Sequence, residues 1–223
     1  MTMQKTRLWL LGAIATLLAV TSCTDEAPPQ AGRPDNYLCD ISAKSTEEKL
    51  LRQIMRAETF TTNLNNRESR FAEKMNENLQ LFPDDTRMYA VSACQYLPNG
   101  QKSGGRTSID YEWVPRVDAS KPSQESGTFS YDFGNAFGTS SDVTSTLDVI
   151  CVMPGDLRER SEKVSLHAEA SYTVNLGPVH DHGTQDEQMT LLYLMARRAT
   201  ESLGCENQPL AKEPVVKPLA TER

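Results

Sequence analysis

The sequence predicts an α+β domain: an antiparallel sheet of about five strands, helices packed on one face, and two disulfides. Three observations predict it. Over residues 164–175, Val164, Leu166, Ala168, Ala170, Tyr172 and Val174 alternate strictly with Ser165, His167, Glu169, Ser171, Thr173 and Asn175. That period belongs to a strand with one buried and one wet face. Ser45-Thr46-Glu47-Glu48 and Thr184-Gln185-Asp186-Glu187 have capping-box spacing, and each opens a run of apolar residues at helical intervals. Cys39, Cys94, Cys151 and Cys205 are spread over the same region, an even set suited to pairing in an oxidising compartment.

In chain order, the first helix follows Ser45 and turns Leu50, Leu51, Ile54 and Met55 to one side. A second, more polar helix is expected over 68–81, with Phe71, Met75 and Leu79 on one stripe, and Phe82-Pro83-Asp84-Asp85 breaks it. Residues 88–97 read as a strand containing Cys94. The turn-forming run Pro98-Asn99-Gly100-Gln101-Lys102-Ser103-Gly104-Gly105 follows, and Ile109, Tyr111 and Trp113 then alternate with Asp110 and Glu112, so the two strands make a hairpin. Residues 115–126 read as loop, Phe129, Tyr131 and Phe133 as a short aromatic strand, and 134–142 as a polar Gly/Ser-rich run. Leu147, Val149, Cys151 and Met153 share one face of a strand that ends at Pro154-Gly155. After a charged connector comes the alternating strand over 164–175. The last helix then runs through Leu191, Leu192, Met195, Ala196, Ala199 and Leu203 and stops at Gly204, the expected C′ residue.

Four cysteines allow three connectivities. The strand after Pro154-Gly155 leads away from Cys151, and a final helix of about 20 residues, roughly 30 Å long, can bring the chain back. Cys205 is therefore expected beside Cys151, and Cys39, ahead of the first helix, falls to Cys94. Bridges closing loops of this length should each stabilise by ~2–4 kcal/mol.

The amino terminus carries a separate signal. Lys5 and Arg7 precede an apolar stretch over 8–20, interrupted only by Gly12 and Thr16. Thirteen helical residues span ~20 Å, short of the ~30 Å hydrocarbon core, so a cleaved export signal is expected rather than a permanent span. Val20-Thr21-Ser22-Cys23 resembles the lipobox of bacterial lipoproteins: an aliphatic residue (Val here, where Leu is usual), two small residues and a cysteine. The resemblance implies that 1–22 are removed as a lipoprotein signal peptide, that Cys23 becomes the lipidated first residue, and that the protein sits lipid-anchored on the extracytoplasmic face of the cell membrane. It also accounts for the odd fifth cysteine.

Residues 23–36, rich in Pro and polar side chains, read as a flexible tether; 37–206 as a single α+β domain; 207–223, with three prolines, as a disordered tail. Of 223 residues, 201 remain after the signal, enough for one domain with a sizeable core. The signal takes two of the 23 basic residues and none of the 30 acidic ones, leaving a net charge of −9. Such a balance argues against nucleic acid and anionic head groups as partners, whereas two or three acyl chains hold a bilayer unaided.

The spacing further resembles small actinobacterial lipoproteins of unknown function. In them an early cysteine precedes a helix, a second follows Ala in a strand (here Ala93-Cys94-Gln95-Tyr96), and the last helix ends in Gly-Cys (here Leu203-Gly204-Cys205). The pattern covers 37–206 and implies a cell-surface lipoprotein with no assigned catalytic residues.

One cluster suggests chemistry. Gly177-Pro178-Val179-His180-Asp181-His182-Gly183 holds two of the three histidines, and His167 can join them from the wet face of its strand. His180, His182 and His167, with Asp181, form a donor set suited to Zn²⁺ or Cu²⁺; the plain alternative is a polar loop ahead of a helix whose dipole favours Asp181 and Asp186. Asp132, Asn135 and Asp142 offer oxygens for Ca²⁺ without EF-hand spacing. Tyr111, Trp113, Phe129, Tyr131 and Phe133 fit a ligand groove or, by their alternation, the packing face of the sheet. Gly-x-Ser-x-Gly, Gly-x-x-x-x-Gly-Lys, His-Glu-x-x-His and Gly-x-Gly-x-x-Gly do not occur. The leading expectation is an envelope binding or interaction module for a protein or small ligand; the alternatives are a metal-binding lipoprotein and a cell-envelope hydrolase lacking a recognisable motif.

Overall fold

In the computed structural model, the described residues are 36–82, 90–100, 105–116, 127–173 and 182–219. They belong to one unit, Pro34–Arg223. The signal segment, the lipobox and the tether as far as Asp35 lie outside them.

Helix α1 (Thr46–Met55) starts where Ser45 Oγ accepts the Glu48 N–H at 3.2 Å, and it buries Leu50, Leu51, Ile54 and Met55. Strand β1 (Phe60–Asn65) and helix α2 (Glu68–Leu81, burying Phe71, Met75 and Leu79) follow. The remaining strands are β2 (Val91–Pro98), β3 (Arg106–Pro115), β4 (Phe129–Asp132), β5 (Ala136–Ser140), β6 (Thr144–Val149) and β7 (Val164–Thr173). A 3-10 turn (Gly155–Leu157) and the one-turn helix α3 (Arg158–Ser161) join β6 to β7, and the 22-residue helix α4 (His182–Leu203) closes the fold.

The strands form one antiparallel sheet in the order β1-β2-β3-β7-β6-β5-β4. Among the described residues it has seven strands, not about five. The two additions, β1 and β5, hide from periodicity for different reasons. β1 (Phe-Thr-Thr-Asn-Leu-Asn) is an edge strand whose middle residues are exposed, so it carries no apolar alternation. β5 is built from small residues because α4 closes on it. A Cβ on Gly138 would lie 2.8 Å from Met189 Cε and 2.8 Å from the Thr146 carbonyl, a separation only glycine permits. The strand expected as far as Met153 stops at Val149, and Cys151 and Met153 continue as buried irregular chain.

Period 2 puts Tyr111, Trp113, Leu166, Ala168 and Leu147 on one face, where α2 packs over β2 and β3, and α4 over β5, β6 and β7. Trp113 Nε1 donates to the Met75 carbonyl at 2.8 Å, Phe71 meets Tyr111 edge-on at 5.2 Å, and the Tyr172 hydroxyl donates to the Gln188 carbonyl at 3.2 Å. The helices lie on one face of the sheet only in part. α1 packs against α4, and α3, a single turn too short for an apolar stripe of its own, sits beside α2 and β7.

Disulfides join Cys39 to Cys94 and Cys151 to Cys205, with Cα separations of 5.6 and 5.2 Å. The first ties the segment ahead of α1 to β2, and the second ties the end of α4 to the chain leaving β6. All four cysteines are buried.

The expected disorder from Asn207 onward gives way to an ordered segment as far as Leu219. The Asn207 side chain donates to the Ile150 carbonyl at 2.7 Å and accepts the Val152 N–H at 3.0 Å, Leu210 is buried, and Pro218 bridges Tyr131. Proline and mixed charge erase any periodic signal, but this segment is held by side-chain bonds and a strand edge, which need none. Among the described residues, no helix is long and apolar enough to cross a membrane.

Candidate functional site

On the face of the sheet opposite α2 and α4, the same alternation that buries Tyr111, Leu147 and Ala168 turns Asp110, Glu112, Asp148, His167 and Glu169 outward. Register then brings them together: Glu112 stands opposite His167, His167 opposite Asp148, and Asp110 opposite Glu169. His167 lies at the centre with 14% of its side chain exposed, against 25% for Asp148 and 46% for Glu169. His167 Nδ1 and Asp148 Oδ1 are 2.7 Å apart. A carboxylate only accepts, so Nδ1 carries the hydrogen and Nε2 is directed toward Glu169, whose Oε2 is 4.0 Å away. The Ser171 hydroxyl donates to the other Glu169 oxygen at 3.4 Å.

Burial alone lowers the pKa of His167. The Asp148 hydrogen bond and the negative charges of Asp148, Glu112 and Glu169 outweigh it, so the imidazole is held above its ordinary value. The arrangement is an oriented, readily protonated imidazole in an anionic setting. It can bind a cationic or hydrogen-bond-donating group, or carry a proton. Among the described residues, the Ser171 hydroxyl is turned to Glu169, and Cys39, Cys94, Cys151 and Cys205 are all oxidised in pairs, so none of these is held as a nucleophile for His167.

Of the expected metal set, His167 is placed on this outer face, with the sheet between it and the body of α4. His182 is the first residue of α4; its side chain, with His180 and Asp181, lies outside the described residues. Among the described residues, no three His, Cys, Asp or Glu side chains converge on a point that could hold a metal. The expected Ca²⁺ oxygens are not brought together. Asp132 accepts the Gly134 N–H at 2.8 Å in the turn before β5, while Asp142, in the turn after β5, accepts from Gln185 Nε2 at 2.6 Å. The five aromatic residues belong to packing rather than to a groove. Tyr111 and Trp113 lie under α2, Tyr131 donates to Asp186 of α4 at 2.8 Å, Phe133 meets Tyr193 at 4.9 Å, and Phe129 packs partly buried against the core.

Asp148 and Glu112 escape sequence reasoning as partners of His167. Each is legible as an outward residue between two inward ones, but which strand lies beside β7 is a long-range fact. A shallow opening of about 410 Å³ between α2 and the β1–β2 edge has Lys74 and Glu77 beside Leu64 and Val91 and contains neither histidine nor cysteine. Compared with protein-family models, characterised proteins and solved structures, the chain matches none of them.

Proposed function

We propose that the protein is a lipid-anchored binding module on the outer side of a cell membrane, presenting the His167 face of its sheet to an envelope protein or small ligand. The observation that carries the reading is the sulfur count. Four of five cysteines are paired inside the fold, and the fifth, Cys23, ends a lipobox-like sequence behind an apolar segment. Paired cysteines fit an oxidising compartment, and a diacylated Cys23 needs no basic patch to stay at the bilayer. Binding is the reading we favour because the oriented imidazole of His167 sits among the carboxylates of Asp148, Glu112 and Glu169, which offer acceptors and negative charge to a ligand. The carboxylates around it favour a ligand that is cationic or rich in hydrogen-bond donors.

The test has two parts. Mass spectrometry of the native amino-terminal peptide should find acyl chains on Cys23, and Cys23→Ser should move the protein from the membrane to the soluble fraction. An unmodified terminus, or an unchanged membrane fraction in the variant, overturns the anchor. Titration with zinc or copper addresses the competing reading: stoichiometric uptake that His180→Ala and His182→Ala abolish makes this a metal-handling protein instead.

A further inference from the structure

Charge is divided across the thickness of the body. On the sheet face away from the helices stand Asp110, Glu112, Asp148 and Glu169, turned outward by the alternation of β3, β6 and β7. The helix side presents cations. α1 packs chiefly against α4 and buries Leu50, Leu51, Ile54 and Met55, so its other positions face away from the sheet. Lys49, Arg52 and Arg56, spaced i, i+3 and i+7, are exposed there, and Lys44 is exposed just ahead of the Ser45 cap. Among the described residues only Arg52 of these four has an ion-pair partner, Glu48 at 2.7 Å. Glu47 is taken by Arg198, and Glu58 lies beyond the helix end, in the turn toward β1. The body also begins on this side. The Asn36 carbonyl accepts the Glu68 N–H at 2.9 Å, Tyr37 bridges Arg67, and the Arg67 guanidinium stands 5.5 Å over the Tyr37 ring, which is 39% exposed. α4 places this entry beside α1: Ser202 donates to the Glu68 carbonyl at 3.0 Å, and Arg198, one turn earlier, holds Glu47 at the start of α1.

We propose that the exposed face of α1, with Tyr37 and Arg67 beside it, rests on the anionic phospholipid head groups of the membrane that holds Cys23, and so turns the His167 face of the sheet away from the bilayer. This orientation presupposes the Cys23 anchor proposed above; the acyl chains attach, and α1 orients. Twelve residues, 24–35, separate Cys23 from Asn36. A flexible chain of that length spans about 20 Å, which keeps the entry point and the helix beside it within reach of the head groups. The overall acidity of the chain does not oppose this contact, because an anionic surface attracts the face that carries Lys49 and Arg56 and repels the one that carries Asp110, Glu112, Asp148 and Glu169. Each cation at such a surface shifts the balance of orientations about five-fold. The Tyr37 ring, apolar in body and polar at its tip, suits the head-group level.

The native full chain, purified from membranes in detergent, is added to vesicles of phosphatidylcholine, or of phosphatidylcholine with a third replaced by phosphatidylglycerol. Membrane-impermeant reagents then footprint it: an acetylating ester for lysines, and carbodiimide with a small amine for carboxylates. On the anionic vesicles Lys49 should react several-fold more slowly than on the neutral ones, with Glu169 unchanged. Salt at about 1 M, which screens charges beyond about 3 Å, should restore the Lys49 rate. With Lys49→Glu and Arg56→Glu combined, protection at Lys44 should be lost while the protein still floats with the vesicles. Equal Lys49 rates on both vesicles overturn the proposal, as does protection of Glu169, alone or together with Lys49. Protection of Lys44 that survives the double substitution overturns it too. A chain that floats with neither vesicle overturns the anchor and the orientation with it, whereas a floating chain without Lys49 protection overturns the orientation alone.

Discussion

Asp148 on β6 and His167 on β7 are cross-strand partners whose side chains meet at 2.7 Å on the face away from α4. Because the folded-state pKa of His167 is raised above its ordinary 6.5, the pair contributes stability that is fully present below about that pH. The contribution is lost as pH rises through the folded value. Asp148→Asn should therefore cost on the order of 1 kcal/mol near pH 6 and less near pH 8.5, read from urea unfolding at the two pH values. An equal cost at both counts against the charged pair.

Gly138 faces α4 with no room for a methyl group. Its Cβ position is crowded by Met189, whose side chain can shift, and by the Thr146 carbonyl, which belongs to a paired strand. Gly138→Ala should destabilise by about 1–3 kcal/mol in chemical unfolding, and its cost measured in a Met189→Ala background should shrink only in part because the backbone contact remains. A cost that vanishes in that background would mean that the helix alone sets the crowding.

The contrast between β5 and β7 shows what the sequence reveals. Along β7 every inward residue is apolar and every outward one polar, so a single strand announces its face. In β5 the inward positions are Ala136, Gly138 and Ser140, small because a helix presses on them, and their meaning depends on Met189, some fifty residues away. Helices α1, α2 and α4 were legible because apolar stripes are local, and at α1 the Ser45 cap is too. α4 starts at His182, two residues ahead of the capping box expected at Thr184, and the single turn of α3 carries no stripe to read. The outer cluster was legible only as separate outward residues, since its assembly needs the β3-β7-β6 order. Ordering of the 207–219 segment depends on an edge strand and on the side-chain bonds of Asn207, Tyr193 and Arg197, none of which leaves a periodic trace.

Each disulfide closes a long loop, at sequence separations of 55 and 54. Replacing Cys151 and Cys205 together with Ala should lower stability by about 2–4 kcal/mol, mostly through a larger unfolded ensemble. The pair also anchors the base of the C-terminal segment over 207–219, because the Glu206 N–H donates to the Val152 carbonyl at 2.8 Å beside it. Amide hydrogen exchange in the double variant should accordingly rise at Leu219 more than at Ile109. A uniform rise would separate that segment from the disulfide.

Arg198 of α4 joins two pieces of the amino-terminal half, donating to the Asp40 carbonyl and, at 2.7 Å, to Glu47 Oε1 in the first turn of α1. Burial pushes the Glu47 carboxyl up, but backbone hydrogen bonding and the Arg198 guanidinium more than offset that, so its pKa is lowered below 4.5. Stability from this pair is thus present above about pH 4.5 and disappears as pH falls through the lower, folded value. With both side chains part-exposed, solvent screening limits the coupling between Glu47→Gln and Arg198→Met in a double-mutant cycle to about 1 kcal/mol at pH 7. Arg198→Met alone should cost more than the coupling, because it also leaves the Asp40 carbonyl without its guanidinium donor. Repeating the cycle near pH 3 should shrink the coupling while the Asp40 part of the single-variant cost remains. If the coupling is unchanged by acid, Glu47 is not the charged partner that links α1 to α4.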